Sequence, residues 1–131
     1  MVEVSGSASE EEDKKDKTPI GHFINFSNGK AIDVSGGKDE EARPVIVWKK
    51  HNGTNQKWGI VYLDTKAKQR TKGLNEEYGF YINRPFYMKS RMLFGRVAAV
   101  YGASNIRLER YRKNVTDQQF WFDEATKTVK S

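Results

Sequence analysis

Val45-Ile46-Val47-Trp48-Lys49-Lys50-His51-Asn52-Gly53-Thr54-Asn55-Gln56-Lys57-Trp58 is the stretch on which the reading of this chain turns. It passes from a β-branched, aromatic strand through a polar turn to a Gln-x-Trp triplet. Leu108-Glu109-Arg110-Tyr111-Arg112-Lys113-Asn114-Val115-Thr116-Asp117-Gln118-Gln119-Phe120-Trp121 repeats it. Aligned without a gap, Trp48 stands opposite Tyr111 and Lys49-Lys50 opposite Arg112-Lys113. Gln56-Lys57-Trp58 then stands opposite Gln119-Phe120-Trp121. Self-similarity of this kind marks an architecture built by internal repetition.

Outward from the first block, the pattern is of short strands and turns. Ile20 to Phe26 reads as a strand, Ser27-Asn28-Gly29-Lys30 as an Asn-Gly turn, and Ala31-Ile32-Asp33-Val34 as a second strand. Ser35 to Arg43 is a polar loop in which Gly36-Gly37 makes a turn, and Pro44 suits the start of the next strand. Lys57 to Leu63 is a fourth strand with Trp58, Ile60 and Tyr62 on one face. A basic loop, 65–77, separates the two blocks. Beyond it, Tyr78 to Ile82, Phe86 to Met88, Arg91 to Phe94, Ile106 to Tyr111 and Phe120 to Phe122 read as strands. No helix-period run stands out, so the expectation is an all-β barrel or sandwich.

Composition narrows the function classes. Only 37% of the 131 residues are hydrophobic, so the aromatics must supply much of a modest core. There is no cysteine, which excludes disulfides and thiolate metal sites. The sequence offers no membrane-spanning run and no basic-then-apolar leader. A cytoplasmic location is therefore the expectation, with a processed secreted form left open. Residues 1–17 carry six acids and three lysines and contain no aromatic, the composition of a disordered tail. Eight basic residues and the single acid Glu109 lie between Arg84 and Lys113. That field attracts anions, but charge without a recognised motif does not select nucleic acid. No catalytic constellation, phosphate loop or metal-ligand spacing is found, so a non-catalytic protein without metal or cofactor is expected.

Gly29-Lys30-Ala31-Ile32-Asp33-Val34, then Val45-Ile46-Val47-Trp48, then Asn55-Gln56-Lys57-Trp58, in that order, resemble a unit of the ricin B-type lectin family. The resemblance implies a β-trefoil. It covers unit one, 18–64, over its whole length and unit two, 78–123, in its second half, with 124–131 as the start of a third. Domain boundaries are thus a tail at 1–17 and a trefoil domain at 18–131. Two complete units where the family has three lead to further expectations: a longer product, a third unit too divergent to see, or an identical or different partner that completes the barrel.

The resemblance also implies a sugar site. Asp33 would accept from sugar hydroxyls, Trp48 would stack on the apolar sugar face, Asn55 would add hydrogen bonds and Gln56 would support the pocket. The sugar would be of the galactose type, and Lys49, Lys50 and His51 would rim the pocket. Ile46 departs from the family, which commonly has a polar residue there. The competing reading makes Asp33 a turn cap, Trp48 packing and Gln56 a partner for backbone groups. In unit two, Tyr111 and Gln118 fall at the Trp48 and Asn55 places, and the Asp33 place falls near Phe94 or Gly95, without an acid. Trp58 and Trp121 read as core. Two further functions compete: an intracellular protein-interaction module that kept the fold, and anion or nucleic-acid binding by the basic half.

Overall fold

The computed structural model describes residues 29–63, 73–75, 77–103 and 105–131, and of residues 3–4, 20–21 and 23–25 the backbone alone. Thirteen strands follow one another among these residues. The first half holds β1 (Glu3–Val4), β2 (Ile20–Gly21), β3 (Phe23–Asn25), β4 (Lys30–Val34), β5 (Pro44–Lys49) and β6 (Trp58–Tyr62). The second holds β7 (Leu74–Asn75), β8 (Phe80–Tyr81), β9 (Phe86–Ser90), β10 (Val97–Tyr101), β11 (Asn105–Glu109), β12 (Trp121–Asp123) and β13 (Thr128–Lys130). No α-helix occurs among the described residues; three single-turn 3-10 helices do, at Ser35–Gly37, Thr54–Gln56 and Thr116–Gln118.

Nine strands make one curled sheet in the order β1-β3-β4-β5-β11-β10-β9-β6-β2, and β12–β13 and β7–β8 form two-stranded ribbons. Every ladder is antiparallel. The paired hairpins β4–β5 and β10–β11 lie side by side, because Val45 of β5 pairs with Ile106 of β11. Phe86 and Phe120 exchange both backbone hydrogen bonds at 2.7 Å, which ties the start of β12 to β9.

Alternation along the strands sets the core. Ile32 and Val34 of β4, and Trp58, Ile60 and Tyr62 of β6, point inward, as the period-2 pattern requires. Ala98 of β10, Leu108 of β11, Met88 of β9 and the aromatic group Phe80, Phe86 and Phe122 complete it. Phe80 stacks on both Phe86 and Phe122 with ring centroids 5.3 Å apart. Tyr62 meets Tyr81 edge-on and accepts a hydrogen bond from the Tyr81 amide at 2.9 Å, so this buried ring keeps a partner for its hydroxyl.

Several elements differ from the expectation. Arg91 to Phe94 is a turn, not a strand, and the strand beyond it is Val97–Tyr101. Strand β11 ends at Glu109, two residues before Tyr111. Within the expected acidic tail, Glu3–Val4 pairs with Phe23–Ile24 of β3, and the rest of 1–17 lies outside the described residues. Most of the 65–77 loop lies outside them too; Leu74–Asn75 forms a ribbon with Phe80–Tyr81. The stretch after unit two, read as the start of a third unit, supplies β13, which pairs with β12.

Candidate carbohydrate site

Gln56 organises the first unit. It ends the 3-10 turn Thr54–Gln56 and is fully buried. Its carbonyl oxygen accepts from the His51 amide at 2.8 Å, and its side-chain nitrogen donates to the Lys49 carbonyl at 2.8 Å. The second N–H of that amide donates to Asp33 Oδ2 at 2.8 Å. One side chain thus clasps the end of β5 and fixes a carboxylate on β4. All its hydrogen-bonding capacity on the donor side is used, which is what a buried amide demands.

Asp33 is 3% exposed and sits on the face of β4 opposite the core residues Ile32 and Val34. Its Oδ2 takes the Gln56 bond and lies 3.5 Å from His51 Nε2. Its Oδ1 has no protein partner among the described residues. His51 Nδ1 accepts from the Gly53 amide at 2.9 Å, which leaves Nε2 as the N–H and aims it at Asp33. Gly53 is needed for that contact: a Cβ there would come 2.7 Å from His51 Cε1 and 2.8 Å from Asn55 Oδ1. Asn55 Nδ2 donates to the Val34 carbonyl at 3.2 Å, and its Oδ1 has no protein partner among the described residues.

These groups border a cleft of about 470 Å³ lined by Asp33, Gly36, Gly37, Trp48, His51 and Asn55, with Ser35 and Ile46. Trp48 is 56% exposed, unlike the core residue Trp58, which is fully buried. Gly36 and Gly37 both have φ near +66°, and this left-handed pair turns the chain back to form the far wall. The four residues singled out in unit one are therefore brought together: Asp33, Trp48 and Asn55 on the cleft and Gln56 behind Asp33. Of the expected rim, His51 lines the cleft, whereas Lys49 and Lys50 are not among its lining residues. The Gly36-Gly37 wall escaped the sequence reading, which took the pair as a turn and nothing more.

Unit two corrects the gapless alignment. Gln118, not Gln119, is the buried counterpart of Gln56. It ends the 3-10 turn Thr116–Gln118, accepts from the Arg112 amide at 2.9 Å and donates to the Arg110 carbonyl at 2.9 Å. Phe120 (3% exposed) therefore takes the place of Trp58 (0% exposed), and the expected core residue Trp121 is only half-buried, with Lys130 Nζ 5.9 Å from its ring centroid. The loop between strand and glutamine is one residue longer here, with Asn114 absorbing it at φ +64°. Arg107 then corresponds to Ile46, and Glu109 rather than Tyr111 to Trp48. Strand register puts Ala99, not Phe94 or Gly95, at the Asp33 place.

The acid has changed strands. Gln118 donates to Glu109 Oε1 at 3.3 Å, and Arg107 Nε donates to Glu109 Oε2 at 2.7 Å. Arg112 Nη2 also donates to Oε1. Burial pushes the Glu109 carboxyl up, but the bonds from Arg107, Gln118 and Arg112 outweigh it and hold it below the ordinary carboxylate range.

No family model matches this chain, and no curated protein matches it either. Among solved structures it is similar to the crystal structure of the designed 3-fold symmetric protein ThreeFoil, with a TM-score of 0.57 and 17% identity. That likeness covers 89% of this chain and 86% of the designed one. The fold is thus an all-β trefoil.

Proposed function

We propose that the first unit is a non-catalytic carbohydrate-binding site. The observation that carries this reading is Trp48, a large ring left 56% exposed on the wall of a cleft whose floor is the fixed carboxylate of Asp33. A sugar ring has one face of C–H groups and an edge of hydroxyls. Trp48 suits the first, and Asp33 Oδ1 and Asn55 Oδ1 suit the second as acceptors. His51 Nε2–H is the matching donor. Gln56 holds Asp33 in place before any ligand arrives, which lowers the ordering cost of binding. The likeness of unit one to ricin B-type lectins supports the same assignment and points to a galactose-type monosaccharide. A titration with a panel of neutral monosaccharides tests it. Binding that disappears in both Asp33→Ala and Trp48→Ala supports the site, and binding that survives both refutes it.

A further inference from the structure

The second unit carries a larger cleft of about 740 Å³, and its chemistry is inverted. Four arginines line it, Arg96, Arg107, Arg110 and Arg112, together with the acids Glu41 and Glu109. The Glu109 carboxylate is engaged on both oxygens by Arg107, Arg112 and Gln118. With three of about four lone-pair sites filled, it has less to offer a sugar hydroxyl than Asp33; its role is to hold two guanidiniums in position with one negative charge between them. Arg96 is already committed to Asp39, donating to Oδ1 at 2.9 Å. The Arg110 guanidinium has no protein partner among the described residues. The cleft therefore has positive charge to spare, and its unused N–H groups belong to planar forks suited to a tetrahedral or planar oxyanion.

Its other walls are aromatic. Phe94 is 65% exposed, and Tyr111 is 43% exposed and stacked on Tyr87 with centroids 4.6 Å apart. Glu41 Oε1 takes the Arg110 amide at 2.8 Å, leaving Oε2 as an acceptor. Oxyanion donors, an aromatic face and a carboxylate acceptor together fit one ligand that has a sulfate or carboxylate, a C–H face and hydroxyls. We propose that the second cleft binds an anionic monosaccharide, a sulfated hexose or a hexuronic acid. A nucleic-acid strand fits less well: two carboxylates in the wall repel consecutive phosphates, and the volume is that of a single small ligand.

The test is calorimetric titration of a monosulfated hexose into the full chain carrying Trp48→Ala, which silences the first cleft without disturbing the second. The expected result is measurable binding, at least about tenfold weaker for the unsulfated hexose and again for Arg110→Gln. Because Arg110 is exposed and its side chain has no protein partner among the described residues, that substitution should leave folding intact. Equal binding of sulfated and neutral hexose overturns the proposal, as does indifference to Arg110→Gln, or no binding of either the sulfated hexose or a hexuronic acid titrated in the same way. Sodium sulfate binding as tightly as the sulfated hexose, or a single-stranded oligoribonucleotide binding more tightly, also overturns it. None of these outcomes bears on the first cleft, whose neutral-sugar binding is read in the chain with Trp48 intact.

Discussion

In unit one, Gln56 presents Asp33 with one oxygen unpartnered among the described residues, beside an exposed Trp48. In unit two, Gln118 grips Glu109 with both oxygens engaged, beside an Arg110 whose guanidinium has no partner among the described residues. The grip is the same: each glutamine accepts from a strand-end amide and donates to the carbonyl two residues earlier. What differs is which strand supplies the acid. An acid on β4 faces the cleft across from the aromatic position. An acid at that aromatic position on β11 displaces the ring and draws arginines to itself instead. A shared structural clasp can thus support an acceptor site in one unit and a donor site in the other.

The sharpest way to break this comparison is through the aromatic that follows each glutamine. Phe120→Ala should destabilise the protein by about 3–5 kcal/mol, as Trp58→Ala should, because both empty a buried position. Trp121→Ala should cost clearly less. Denaturant unfolding midpoints check this, and a larger loss for Trp121 than for Phe120 would restore the gapless alignment. Next comes the clasp itself. Gln118→Ala and Gln56→Ala should each cost about 1–3 kcal/mol by leaving strand-end groups and a carboxylate unsatisfied. Gln119→Ala, on a half-buried neighbour, should stay within about 0.5 kcal/mol.

Trp48→Ala should shift the unfolding midpoint far less than Trp58→Ala, because more than half of its surface is exposed, while taking neutral-sugar binding below detection. A fall in stability comparable to Trp58→Ala would return Trp48 to the role of packing. The smallest effect concerns acid. The folded pKa of Glu109 lies below its unfolded value, so its contribution is present above the unfolded value and is lost as pH falls through the folded one. Glu109→Gln should therefore flatten part of the decline in stability below the ordinary carboxylate range. Unfolding followed across that range reads it, and parallel curves for the two proteins would show the arginine pairing to be without thermodynamic weight.

Much of this was legible in the residues, and unevenly. The first cleft could be read because Asp33, Trp48, Asn55 and Gln56 fall within one unit and β-branched runs mark the strands between them. Its Gly-Gly wall could not, since a left-handed pair and an ordinary turn look alike in sequence. Gln118-Gln119 next to Phe120-Trp121 offered two registers of equal merit, and matching Trp to Trp chose the wrong one. Burial decides there, and burial is a property of the fold. Strand β10 was missed because Val97-Ala98-Ala99-Val100 shows no alternation; its flanks pair with β9 and β11, and Val97, Ala98 and Ala99 are all fully buried. The second cleft was beyond reach for a related reason. Arg96 and Phe94 meet Arg110 and Arg112 only after β10 and β11 zip together.

The extra residue upstream of Gln118 has a consequence for engineering. Five positions separate His51 from Gln56, and six separate Arg112 from Gln118, yet both pairs close the same hydrogen bond. The loop ahead of the glutamine is a splice point where length can change while the strands on either side stay in register. Segments grafted there, between a strand end and the 3-10 turn, would vary the lip of either cleft and leave the barrel beneath as it is.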